Sequence, residues 1–592
     1  MKQLLFTAFF GAIAVVTAAA DLPIISGVSS FGSARNDFTG SVGFEFTNTY
    51  SSPIVITQLG RWVQGGNHQI HTLSILDTLL NTLATVTVNC SGAATGQFLY
   101  GRLSSPYSLS TGAKVYIVSS ETSQGDMWFD PNGTTVIFRG LGSTQALWID
   151  SAAHLGGLNC FGPVSFQYSS PVLGWSKTGK VYTTSGEQYA VNDAITNASP
   201  GDTVFIPAGS FTWGARGTNI NVNKAITLLG AGTTQTIITL SPTSPTWANG
   251  VIWISASATV RDFAVIQSGS AATTALSADT ADGWRISDIM YTSANIAGYF
   301  CYASTYGLID NCTIFGGSGS DEWIFTRGPT DSWTTPSSMG TASAVYVEDC
   351  TFNRQGYTDF NSNARAVVRF CTINPTTNGI KIDGHGKYSN SPPRGVRHVE
   401  VYNNTWTAGV ATSMEIRGGS GMAFNNIGPA SSPGALIFNE YYVTSGGYTS
   451  SDYPIDDQVG VGEDPKVAAS EPFYVWNNSL VNGSLWLFSN SPYGVSLAGV
   501  VNPDRDYFQQ GSTFDGSSGV GRGTKAQMLA IIPTKPGVGY WVTDEGSWNI
   551  TLPANTSGQL YTWNGSAWVL KYTPYTYPHP LRKPVGPSNL RL

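Results

Sequence analysis

Short alternating runs of apolar and polar residues recur between positions 263 and 480, and each run turns at the same kind of corner. The clearest copies are Asn311-Cys312-Thr313-Ile314, Asp349-Cys350-Thr351-Phe352, Phe370-Cys371-Thr372-Ile373, Asn403-Asn404-Thr405-Trp406 and Asn477-Asn478-Ser479-Leu480. Asn425-Asn426-Ile427 is a shortened copy, and Asp262-Phe263 and Asp288-Ile289 are weaker ones. With Phe263, Ile289, Cys312, Cys350, Cys371, Asn404, Asn426 and Asn478 taken as equivalent, the corners recur at roughly the 20–50 residue period of a solenoid. Strand-rich coils with Asn at one repeated turn predict a parallel β-helix, in which like residues stack along the axis. Insertions at 315–343, 386–397 and 429–470 are expected to overhang one face and wall a cleft.

Other segments follow other patterns. Residues 21–172 hold alternating runs such as Gly43-Phe44-Glu45-Phe46, Ile54-Val55-Ile56, Thr85-Val86-Thr87-Val88 and Lys114 to Val118, divided by Gly, Ser and Asn. They predict an antiparallel β-sandwich. Ala190, Val191, Ala194 and Ile195 have helical spacing, and Pro200-Gly201-Asp202 stops them, so a helix over 189–198 should cap the first coil. The β-helix then spans 173–500. Residues 501–592 read as a C-terminal cap, with a hairpin turning at Asn564-Gly565. The expected fold class is all-β: sandwich, right-handed parallel β-helix, β-hairpin cap.

Composition narrows the function classes. Charged residues are 11% of the 592, Gly numbers 67, and aromatics reach 12%. This suits an extracellular all-β protein. A net charge of −7 argues against nucleic acid, which needs basic clusters. Met1-Lys2, the apolar run Leu4 to Val16 and Ala18-Ala19-Ala20 read as a signal peptide over 1–20, which implies secretion. No later run is long enough to span a bilayer. Cys90 and Cys160 are candidates for a disulfide in an exported chain. Cys312, Cys350 and Cys371 hold the corner position and should stack as small buried residues.

Residues 189–214, YAVNDAITNASPGDTVFIPAGSFTWG, resemble the entry of the pectate-lyase superfamily of right-handed β-helices, a match that implies fold and says little of reaction. Val42 to Phe129 resembles jelly-roll modules appended to secreted carbohydrate-active proteins. A glycan-binding role there would use Trp62, Trp128 or Trp148, each equally expected in the core. The 359–426 core and the aromatic tail resemble uncharacterised secreted bacterial β-helix proteins. Gly384-His385-Gly386 resembles the Gly-His-Gly of polygalacturonase-type hydrolases, but that family's Asp-Asp and Arg-Ile-Lys elements are missing.

Counting back from the corners gives the side-chain directions. Val347, Val368 and Val401 face inward. Glu348, Arg369 and Tyr402 form an outward column, Arg365 and His398 another, with Glu400 beside them. On a second strand Ile380, Ile382, Met414 and Ile416 face inward, while Lys381, Asp383, His385, Glu415 and Arg417 face outward. The count aligns Asp359, Lys381 and Glu415 on three coils, with Asp383 beside Arg417.

Two chemistries and a bland alternative fit this cluster. β-Elimination on a uronic-acid polysaccharide needs a base, an acid and carboxylate neutralisation. Lys381 is the candidate base, with its pKa depressed by Arg417 or Arg394. His385 or Tyr402 is the acid, and Arg365, Arg369, Arg397, His398 and Glu400 bind substrate. Asp359, Asp383 and Glu415 offer oxygen ligands to calcium. Glycoside hydrolysis would instead use paired carboxylates among Asp359, Asp383, Glu400 and Glu415. The bland alternative is that these charges are ion-pair ladders that order a solenoid surface, and a third reading is a non-catalytic adhesion protein that binds glycans through the sandwich and the groove.

Overall fold

The structure is a computed structural model. It describes residues 21–582 apart from short internal stretches, chiefly 215–218, 241–249, 268–273, 294–298, 318–321, 376–380, 388–393, 409–412, 430–434, 439–450, 463–470 and 490–498. The expected signal peptide lies outside the described residues, as do large parts of the expected cleft-walling insertions. The chain divides into two units, Met1–Trp175 and Ser176–Leu592.

The first unit is antiparallel. A four-stranded sheet and a six-stranded sheet are its main layers. Gly40–Asn48 sits inside the six-stranded sheet and Val164–Ser169 inside the four-stranded one. Their rings meet: Phe46 packs edge-on against Phe166 at 5.1 Å, and Phe44 stacks on it at 6.4 Å. Cys90 and Cys160 are both free thiols and both buried, so the expected disulfide does not form.

The second unit is the parallel β-helix that the corners predict. It contains a 21-stranded sheet and a 10-stranded sheet, and coil after coil pairs in parallel register. Each corner has one physical cause. The residue before every equivalent position is left-handed, with φ of 52–65° at Asp262, Asp288, Asn311, Asp349, Phe370, Asn403, Asn425 and Asn477. Asn and Asp tolerate that conformation best among non-glycine residues. Phe370 does not belong to that class; its ring instead stacks 3.8 Å from that of Tyr577.

The next residue points inward; at Phe263 and Ile289 it is apolar, and from Cys312 onward it satisfies backbone that the corner leaves unpaired. The thiols of Cys350 and Cys371 donate to main-chain carbonyls. Farther along, Asn404 donates to Asn426 at 3.0 Å and Asn426 to Asn478 at 2.8 Å. Each Asn also donates to a carbonyl one coil back, at Val368, Val401 and Ala423. A buried amide with every polar atom engaged costs little, whereas an unmatched one costs about 1–3 kcal/mol.

The helix runs Gln188–Asn197, with Ala190, Val191, Ala194 and Ile195 buried. It closes the entry coil. Lys224 donates to the carbonyls of Ile195, Thr196 and Ala198, groups that a helix end leaves without intrahelical partners. No helix among the described residues is long and apolar enough to cross a membrane.

Candidate functional site

The column Glu348, Arg369, Tyr402 has the expected register. It is not a surface. Glu348, Arg369, His398, Glu400 and Tyr402 are each 0% exposed, because the C-terminal segment lies over this face. Arg369 pairs with Glu348 at 2.7 Å and donates to the carbonyls of Tyr575 and Thr576. Arg582 bridges Asp310, Glu348 and Asp349. Glu400 accepts from Tyr572 Oη and from the Gly340 amide. Beside these ions runs a row of flat rings, Tyr402 on Phe424 at 4.6 Å and Phe424 on Trp476 at 4.4 Å, packed against Trp541 and Trp548.

Burial dominates the electrostatics of this seam. It pushes the Tyr402 hydroxyl and the Glu348 carboxyl up, against the pull of Arg369. It raises Glu400 to about 7 and lowers His579 to about 3. His398 is driven well down by burial and by Arg397 and Arg365, so it is neutral. Its 3.5 Å approach to Glu400 is therefore not an ion pair.

Arg365 and Arg397 are also engaged. Both donate to the carbonyl of Ser332, Arg365 adds Thr335 and Pro336, and Arg397 forks onto Glu471. Between them the buried Trp333 donates its Nε1–H to the Gly395 carbonyl, with the Arg394 and Arg397 guanidinium groups over its ring. Arg394 is bidentate on Asp457. The substrate-binding expectation for Arg365, Arg369, Arg397, His398 and Glu400, and the acid role for Tyr402, are corrected on this ground: His398 is fully buried, and the others hold a loop and a tail in place.

The second sheet differs. Asp359 pairs with Asp383, and Asp383 with Glu415, on three successive coils. A Cβ on Gly384 would touch Val399, Ile416 and Val396 inside the coil, and Ile382, Met414 and Ile416 are buried. The alternating carboxylates therefore face away from the lumen, although they are only 5%, 2% and 3% exposed. Arg417 forks onto Asp383 at 3.0 and 2.6 Å. Asp383, Glu415 and Asp359 all act on its charge and raise its pKa against burial.

Lys381 does not share this row. Its register partner is Tyr357, so Asp383 takes the place that counting assigned to Lys381. The count assumed equal spacing from strand to corner, and the insertion after His385 breaks that equality. The Lys381 side chain lies outside the described residues. His385 follows at the end of the strand, half-buried, its Nδ1 2.8 Å from the Gly386 carbonyl.

Among the described residues one group of three has ligand atoms all within 4.8 Å: His71, Cys90 and Asp126, in the first unit. Sequence spacing gave no hint of it. Asp126 already accepts from the amides of His68 and Gln69 and lies 3.1 Å from His71 Nε2, so hydrogen bonds account for these two, and burial pushes the Cys90 thiol up.

No protein-family model and no curated protein matches the sequence. Two solved structures align over most of the chain. One is the Agl-KA catalytic domain, at 10% identity over 80% of this chain and 97% of that one, with a TM-score of 0.26. The other is the catalytic unit of a thermostable GH87 α-1,3-glucanase from Streptomyces thermodiastaticus strain HF3-3, at 12% identity over 83% of this chain and 98% of that one, with a TM-score of 0.25.

Proposed function

We propose that the protein is a secreted carbohydrate-active enzyme that hydrolyses an extracellular polysaccharide, using Asp359, Asp383 and Glu415. The observation that carries this reading is the register of three outward carboxylates on adjacent coils, with an arginine fixing the middle one. Glycoside hydrolysis needs one carboxyl to protonate the leaving oxygen and another to activate water or attack carbon. At about 4.8 Å per coil, neighbouring members of the row (Asp359 and Asp383, or Asp383 and Glu415) are spaced near the roughly 5–5.5 Å of retaining enzymes, and Asp359 and Glu415, about 9.6 Å apart, near the roughly 6.5–9.5 Å of inverting ones. Asp383, oriented by Arg417, belongs to either close pair, so the anomer of the first product tells which pair works.

β-Elimination is the second reading. Lys381 and His385 on the strand that carries Asp383 favour it, and a uronic-acid substrate with calcium at Asp359, Asp383 and Glu415 belongs to it. It ranks second because Arg394 and Arg417 are committed to Asp457 and Asp383, and Tyr402 lies on another sheet under the tail.

The test is a panel of neutral glycans and polyuronates, assayed with added calcium and with chelator. New reducing ends without ultraviolet absorbance support hydrolysis, and proton NMR of the first product reads the anomer. Unsaturated ends lost on chelation would install β-elimination. Retention on glycan columns without turnover would leave an adhesion protein.

A further inference from the structure

We propose that the first unit carries a second, non-catalytic saccharide pocket, built on Trp128 and Trp148 and shaped for a neutral sugar ring. The pocket has a volume of about 440 Å³, and its walls include Phe38, Trp128, Trp148 and Phe161, with Arg35 and Asp130 as its charged members. That volume lies in the usual range for small-ligand sites, roughly 300–1,000 Å³. All these residues belong to the same unit, and the proposal does not rest on the hydrolytic reading.

Three observations favour a sugar. The first is an orphaned donor. Trp128 is 3% exposed and its Nε1–H has no hydrogen-bond partner. Buried indole N–H groups ordinarily find an acceptor; Trp128 forms a wall of the pocket, and a small turn of its ring would bring the N–H to a ligand hydroxyl.

The second is the stacking surface. Trp148 keeps one ring parallel to that of His154 at 5.1 Å, and meets Phe161 edge-on at 5.9 Å. Gly156 lies so near that even a Cβ there would approach the Trp148 ring at 3.1 Å. The ring is thereby held in one orientation before any ligand arrives, which lowers the entropy cost of binding.

The third is charge. Arg35 donates to Asp130 at 2.7 Å and to Asp37 at 3.0 Å, while its guanidinium stacks 4.9 Å over Trp128. Side by side, a forked donor and a carboxylate acceptor match adjacent hydroxyls on a sugar. The pocket's one guanidinium is already paired with its one carboxylate, which leaves no free positive charge for a uronate. A purely apolar ligand would leave the Trp128 N–H unpaired.

The full chain should be titrated with cellotriose, maltotriose, xylotriose and trigalacturonate, following tryptophan emission and calorimetry. At least one neutral trisaccharide is expected to bind, with trigalacturonate weaker. Trp148→Ala should abolish that binding. Trp128→Phe keeps a ring but removes the orphaned N–H, and should weaken binding about tenfold while circular dichroism shows the fold retained. Hydrolysis of short soluble substrates should be unaffected in both variants, so loss of this pocket and failure of the carboxylate reading are separable. Absence of binding by any neutral trisaccharide overturns the proposal. So does binding as tight in Trp128→Phe as in wild type, a result that remains informative if Trp148→Ala fails to fold.

Discussion

Arg369 donates a 2.6 Å hydrogen bond to the carbonyl of Tyr575, 206 residues later in the chain. Its other nitrogens hold Glu348 and Thr576, and none of its surface reaches water. Removing one member of a buried ion pair leaves the other charge uncompensated, at a cost of about 3–5 kcal/mol. Arg369→Ala should lower the melting temperature and open the tail to limited proteolysis near residues 572–582. A variant as resistant as the parent would show that the tail is held elsewhere.

Glu400 gives the same seam a pH dependence. Its folded pKa is about 7, above the ordinary 4.5, because burial disfavours the anion. Between those values the folded state binds the proton more tightly than the unfolded state. Its contribution is therefore complete below about pH 4.5 and fades as pH rises towards 7, by about 3 kcal/mol. His579 acts in the opposite direction, losing stability as pH falls from 6.5 towards about 3. Denaturant titrations of wild type and Glu400→Gln, compared at pH 5 and pH 8, isolate the first effect. The variant should gain relative stability at the higher pH.

The two sets of carboxylates should separate in activity. Asp359→Asn, Asp383→Asn and Glu415→Gln should each cut turnover by about 10²–10⁴-fold. Glu400→Gln should leave it unchanged. Arg417→Lys cannot fork onto Asp383 and should fall between them. Equal activity in Asp383→Asn and wild type on a cleaved substrate would remove the row from the reaction.

The amide ladder makes a stability prediction. Asn426→Ala leaves the Asn404 donor and the Val401 carbonyl unmatched and should cost roughly 2 kcal/mol or more. Cys371→Ala, which removes only a weak donor and a little volume, should cost less. Chemical denaturation of the two variants compares them directly.

The corners are legible because their cause is local: a left-handed residue, then an inward one that from Cys312 onward is Cys or Asn, whatever lies between coils. The direction of Glu348, Arg369 and Tyr402 followed from the same alternation. Their exposure did not, since it depends on Tyr572, Tyr575 and Arg582, which no local pattern ties to them. One signal was available. Alternation also turns Phe424 and Trp476 outward beside Tyr402, and an outward row of large rings marks a covered face. The misplacement of Lys381 had another source, a residue count carried across an insertion of unknown path.

The seam formed by Arg369, Glu348 and Glu400 also bears on biogenesis. A nascent polypeptide grown only through the last coil would present the Arg369–Glu348 pair, Glu400 and the stacked rings of Tyr402, Phe424 and Trp476 uncovered. The segment from Trp541 to Arg582, made last, supplies the rings and the arginine that cover this face, so the finished molecule differs from an unfinished one by the docking of its tail.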